Sequence, residues 1–199
     1  AGAGNLISGN GAAGIYLGSG DDSVPSPSLV QGNLIGVDAT GLSAIPNQIG
    51  IDISDSTGNT IGGSTAGARN LISGNTEYGV YAGGRSNEIW GNWIGVDITG
   101  MVALPNGVGV YLPPSWEGVA SEVEVVENVI SGNTQHGIWM NEHLYAYLTG
   151  NLIGVGMDGV IALANGGDGV NGSRSWTIIN GNVIAANGGY GIALDGAGG

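Results

Sequence analysis

The chain has 199 residues, 42 of them glycine, about three times the usual share. No G-X-Y period runs through it, which excludes collagen, and a hydrophobic content of 42% excludes a disordered low-complexity chain. Sixteen acidic groups face only three cationic ones (Arg69, Arg85 and Arg174), a net charge of −13 that argues against nucleic acid or an anionic lipid surface as partner. There is no cysteine for a disulfide or thiolate metal site, and no apolar run approaches the roughly 20 residues of a membrane helix. The start, Ala1-Gly2-Ala3-Gly4, has neither an initiator Met nor a signal-peptide pattern and reads as a mature chain or an excised piece.

In chain order, the motif Asn-apolar-Ile recurs at Asn5-Leu6-Ile7, Asn33-Leu34-Ile35, Asn70-Leu71-Ile72, Asn92-Trp93-Ile94, Asn128-Val129-Ile130, Asn151-Leu152-Ile153 and Asn182-Val183-Ile184. A weaker copy stands at Asn59-Thr60-Ile61. The main asparagines are 28, 37, 22, 36, 23 and 31 residues apart, and the long copies at Asn33, Asn92 and Asn151 are each separated by 59. A repeat of this length is one turn of a solenoid, alternately long and short. The asparagines Asn47, Asn106 and Asn165, in the loops after the long copies, keep the same spacing.

Within each turn the periodicity is two. A second strand follows each motif, at Gly14–Leu17, Gly50–Ile53, Gly79–Ala82, Gly109–Leu112, Gly137–Met140, Gly169–Asn171 and Gly191–Leu194. A third precedes the next asparagine, at Leu29-Val30, Glu88-Ile89, Ser121–Val126, Tyr145–Leu148 and Thr177–Ile179. Three short strands per turn joined by Gly/Asn corners predict an all-β fold, a parallel β-solenoid of about seven turns, as a single domain over 1–199. Glycine and asparagine are expected at the corners because both tolerate positive φ, and stacked asparagines can also bond amide to amide between turns. The isoleucines then form an inward ladder, and a rise of about 4.8 Å per turn gives a rod roughly 34 Å long.

The segments Gly32-Asn33-Leu34-Ile35-Gly36-Val37-Asp38-Ala39-Thr40-Gly41, Gly58-Asn59-Thr60-Ile61-Gly62-Gly63 and Ala66-Gly67-Ala68-Arg69-Asn70-Leu71-Ile72-Ser73-Gly74-Asn75 carry a resemblance. They resemble the right-handed parallel β-helix repeats, pectin-lyase-like in shape, of very large bacterial secreted and cell-surface proteins. The resemblance covers nearly the whole chain and implies fold, right-handedness and an extracellular or cell-surface location. It implies little about activity, because one scaffold hosts many functions.

Enzymes of this shape are mostly pectate lyases and polygalacturonases, and their site patterns are poorly met here. Asp21-Asp22 and His136-Gly137 lie far apart, the Arg-x-Lys element is missing, and the three arginines fall on different turns. His136 and His143, with Glu142, form no evident catalytic constellation. The expectation is therefore no enzyme and no catalytic residue. Asp38-Ala39-Thr40-Gly41 recurs as Asp97-Ile98-Thr99-Gly100 and loosely as Met157-Asp158-Gly159. Calcium is the candidate cofactor for such a loop, but one carboxylate falls short of its six to eight oxygens, and the reading favours an ordinary turn and no cofactor.

Two outward rows follow from the alternation. The residues before the isoleucines (Leu6, Leu34, Leu71, Trp93, Val129, Leu152, Val183) are all apolar and need cover. Leu42 and Ile45, Val102 and Leu104, Ile161 and Leu163 of the long loops are the first candidates to supply it, with lateral packing on another chain close behind. The second strand turns Tyr16, Asp52, Tyr81, Tyr111, Trp139, Asn171 and Ala193 outward. Tyr81, Tyr111 and Trp139 would stack on successive turns, as a candidate glycan or lateral contact or as a ladder that only stabilises its strands.

Neither end shows an evident cap: Ala1–Asn10 already matches Ala66–Asn75, and Gly191–Gly199 stops after a second strand, before its third. The expected partner is the chain itself. Head-to-tail stacking would use the edges at Asn5, Leu6, Ile7, Ile192 and Leu194 and propagate as a filament or surface rod. Flanking turns of a longer protein would cap the same edges covalently. A carbohydrate-binding or adhesive segment is the alternative function, and a polysaccharide lyase or hydrolase the third.

Overall fold

The computed structural model describes residues 4–18, 27–54, 56–114, 121–142 and 144–196. Among these every regular element is a strand, and no helix is long and apolar enough to cross a membrane. The strands build three all-parallel sheets that make a β-helix of about seven turns. The first sheet holds the two-residue strands Leu6–Ile7, Leu34–Ile35, Leu71–Ile72, Trp93–Ile94, Val129–Ile130, Leu152–Ile153 and Val183–Ile184, stacked in chain order. The second holds Ala13–Tyr16, Ile49–Ile53, Tyr78–Ala82, Val108–Leu112, Ile138–Met140, Val170–Ser173 and Ile192–Asp195. The third holds Leu29–Val30, Thr60–Gly62, Arg85–Trp90, Ser121–Val126, Leu144–Thr149 and Trp176–Asn180.

The inner core is the predicted isoleucine ladder. Ile35, Ile72, Ile94, Ile130 and Ile153 are fully buried, with Ile7 and Ile184 half-buried at the ends. Inward residues of the other sheets, such as Ile51, Val80, Val110, Ile89 and Val125, complete it. Strand pairing brings like residues level with like, Ile94 with Ile72 and Ile130, so each turn packs on a near copy of itself.

Asparagine works differently from the expectation based on φ. None of the corner asparagines has positive φ; among the described residues the non-glycines that do are Ser86, Glu127, Arg174 and Ala186. Their side chains instead run as ladders. In the first, each Nδ2 donates to Oδ1 of the next rung from Asn5 through Asn33, Asn70, Asn92, Asn128 and Asn151 to Asn182, at 2.9–3.1 Å. The backbone N–H of each rung donates to the same oxygen. A second ladder links Asn10, Asn47, Asn75, Asn106, Asn133, Asn165 and Asn187 in the same sense. Buried amides are costly unless paired, and here they are paired along the axis.

The Asn59-Thr60-Ile61 copy belongs elsewhere. Thr60–Gly62 is a third-sheet strand, paired with Leu29–Val30 and with Glu88 to Trp90, and Asn59 donates to Asn87 at 2.9 Å at a different corner. An asparagine at a bend followed by an inward isoleucine serves any corner of the coil, so the local motif does not distinguish them.

Glycine has two roles. Gly36, Gly95 and Gly154 do take positive φ, at 83°, 84° and 83°. The glycines of the second sheet do not: a Cβ on Gly50, Gly79, Gly109, Gly137 or Gly169 would lie 2.5–2.7 Å from the carbonyl oxygen of the glycine one turn on. That column is glycine because the turns approach too closely for any side chain.

Candidate functional site

Between its exposed ends, Leu6 and Val183, the apolar row outside the first sheet is covered by the chain itself. Leu71, Trp93 and Val129 are buried with Val37 and Val96 in a second, outer core, against which Leu34, Leu104, Leu152 and Leu163 pack. Each long loop closes through an antiparallel bridge, Val37 to Ala44, Val96 to Ala103 and Val155 to Ala162. Ser8, Ser73 and Ser131 of the short turns clasp these loops, their hydroxyls donating to the carbonyls of Val37, Val96 and Val155 at 2.7–2.8 Å. Among the expected covering residues Leu104 and Leu163 do the work, whereas Leu42, Ile45, Val102 and Ile161 remain exposed. The 59-residue spacing puts Ile45, Leu104 and Leu163 in one register; Leu42 is level with Met101, not with Val102.

The acidic loops are self-bonded turns. Asp38 Oδ1 accepts from the N–H groups of Thr40, Leu42 and Ser43 and from the Thr40 hydroxyl. Asp97 repeats this with Thr99, Met101 and Val102, and Asp158 accepts from the N–H groups of Val160 and Ile161. The Thr40 hydroxyl, with the loop's backbone donors, holds the Asp38 carboxyl below its usual range. No group of three or more His, Asp or Glu side chains is placed to hold a metal among the described residues.

Among the described residues, the candidate catalytic side chains are separated or already engaged. Asp21, Asp22 and His143 lie outside the described residues. Arg69 sits 4.2 Å over the Trp93 ring and donates from Nε to the Gly91 carbonyl. Arg174 pairs with Glu142 at 3.0 Å on the surface, and Arg85 is the strand neighbour of Glu122. His136 Nδ1 accepts the backbone N–H of Asp168 at 3.0 Å, so the neutral ring carries its proton on Nε2 and presents a donor. That is the wrong face for a general base.

Tyr81, Tyr111 and Trp139 do stand level on successive strands, with ring centroids 5.3 and 5.0 Å apart. Their planes are tilted by 54° and 56°, so they form no flat platform. Two rings not expected in this column join them. Tyr78 stacks on Tyr111 at 4.7 Å, and His136 meets Trp139 at 5.9 Å. Both precede a glycine of the close-packed column, as does Asp168, and that shared offset was the signal available in the sequence. Burial pushes the Tyr78 phenol up, with Tyr111 and Glu77 adding to it, so it stays neutral.

Asp168 is buried beside this cluster. Burial pushes its carboxyl up, but donors from Asn171 Nδ2 and Tyr190 N–H at 2.7 Å, with His136 nearby, outweigh that and leave it below the usual range. A depressed folded value means stability present at neutral pH and lost as pH falls through that value. Asp168→Asn should therefore flatten the fall in urea midpoint between pH 7 and pH 3; an unchanged slope would show that Asp168 contributes nothing to acid lability.

At the N-terminal edge, Leu6 is 50% exposed and Ile7 half-buried; at the other, Ile192 and Leu194 are 45% and 47% exposed. These two continue the inward columns of Val170 and Gly172, and among the described residues no further strand pairs beyond them. A further exposed group, not anticipated, lies on the third sheet: Trp176 (74% exposed), Tyr145 and Ile178, the two rings 6.2 Å apart. Compared with protein-family models, curated proteins and solved structures, the chain matches none of them.

Proposed function

We propose that this β-helix is a structural, non-enzymatic subunit that builds a filament or surface rod by stacking its terminal turns head to tail. The observation that carries the reading is the polarity of the two asparagine ladders. Every rung donates forward and accepts from behind, so the two edges are unlike. Among the described residues, Asn5 and Asn10 have no donor to their Oδ1, while the backbone N–H groups of Asn182 and Asn187 have no acceptor. One edge thus offers acceptors at the two corners where the other offers donors. Leu6 and Ile7 are level with Val183 and Ile184 in the same columns, so a second copy would bury apolar ends against each other. Such a contact is heterologous and propagates.

The absence of lysine, a common edge blocker, suits this assembly, and the net charge of −13 keeps neighbouring rods apart sideways. The resemblance to right-handed, pectin-lyase-like helices of large bacterial secreted and surface proteins supports an extracellular or cell-surface location.

Electron microscopy of the purified chain at micromolar concentration, with mass photometry, tests the reading. Fibres with an axial repeat of about 34 Å are expected, and Ile192→Asp with Leu194→Asp should abolish them. Discrete particles near 19.7 kDa at every concentration would overturn it.

A further inference from the structure

The aromatic column is interrupted on one side. Beyond Trp139 the next residue in its row is Asn171 and the next Ala193, so the ring is followed by a shelf instead of another ring. Polar residues border it. His136 offers its Nε2–H, and Asn171, held through Nδ2 by Asp168 Oδ2 at 2.7 Å, has its own carbonyl oxygen free among the described residues. On the other flank Asn141 Nδ2 donates to the Tyr111 hydroxyl at 2.6 Å, leaving that hydroxyl's proton for an outside acceptor. An aromatic face bordered by a few fixed donors and acceptors is the composition that recognises a sugar ring.

We infer that Trp139 and the Asn171 shelf form a binding site for a neutral, β-linked oligosaccharide lying along the rod axis. The rise between turns, about 4.8 Å, is close to the length of one pyranose in an extended β-linked chain, so successive sugars would meet successive turns. Charge selects the class. Asp52, Glu77 and Asp168 border the column, and the whole chain carries −13, which repels uronic-acid polymers. The hydroxyls of a neutral glycan pair with both donors and acceptors and carry no such penalty. The site does not require head-to-tail assembly, because its residues all belong to one chain.

The test is titration calorimetry with cellohexaose, N-acetylated chitohexaose, β-mannohexaose and hexagalacturonate. At least one of the three neutral sugars should bind, and hexagalacturonate should not. Trp139→Ala should raise Kd about tenfold or more, while Trp176→Ala on the third sheet leaves it unchanged. Should Trp139→Ala fail to fold, Asn171→Leu keeps the ring and fills the shelf, and it too should abolish binding. Failure of all three neutral sugars at millimolar concentration, equal binding of hexagalacturonate, or unchanged binding by whichever of these two site variants folds would overturn the inference. Running the titrations on Leu6→Asp protein, altered at the edge opposite the shelf, separates this result from the filament reading.

Discussion

Asn92→Asp is expected to destabilise the rod by about 4 kcal/mol or more, although it changes one NH2 into one oxygen. Asn92 is fully buried. Its Nδ2 donates to Asn128 Oδ1 at 3.1 Å, to the Ile61 carbonyl at 2.8 Å and to the Trp90 carbonyl at 3.2 Å. A carboxylate there still accepts from Asn70 but turns an acceptor towards three acceptors, with no cation hydrogen-bonded to it. The carboxyl's folded pKa is then raised, so the deficit is largest at neutral pH and shrinks as the pH falls and a proton restores one donor. Urea midpoints at pH 7 and pH 4 check both size and sign. Asn182→Asp, on a half-exposed terminal rung, should cost only about 1 kcal/mol. Equal costs at the two positions would mean that the ladder's burial is not what makes it valuable.

Gly109→Ala should cost more than about 3 kcal/mol or prevent folding. The added methyl would lie 2.5 Å from the Gly137 carbonyl oxygen, 2.6 Å from Ile130 Cγ2 and 2.9 Å from Asn133 Nδ2. None of the three can retreat alone: the first is backbone, the second is core and the third is a ladder rung. Relief therefore requires the turns to separate. Gly11→Ala meets nothing within 4 Å and should stay within about 0.5 kcal/mol of the parent. Thermal unfolding of the two variants side by side distinguishes close packing from a general intolerance of alanine. If Gly109→Ala is as mild as Gly11→Ala, the glycine column reflects something other than turn-to-turn approach.

Both sites bear on how much of the molecule could be read without coordinates. The Asn-apolar-Ile spacing located all seven first-sheet strands and the inward isoleucines, because in a parallel stack each residue is paired with its own equivalent one turn away. The second-sheet row from Tyr16 to Ala193 followed from the same period of two. Assignment to a corner did not follow: Asn59 looked like the first ladder and joined Asn87 instead, since bend chemistry is alike at every corner. The roles of glycine and asparagine were likewise legible as positions but not as causes.

By itself, then, the sequence determined the parallel β-helix, its turn count and the exposed rows, because repetition converts linear spacing into axial stacking. Only the tertiary structure decided what covers those rows and what meets across turns. It folded the long loops over Leu71, Trp93 and Val129, joined the asparagines into two polar ladders, stacked Tyr78 on Tyr111, and set His136, with Asp168 behind it, beside Trp139. These contacts depend on where a loop returns and which way a ring tilts. Such distances are set by packing between turns, and no residue spacing along the chain encodes them.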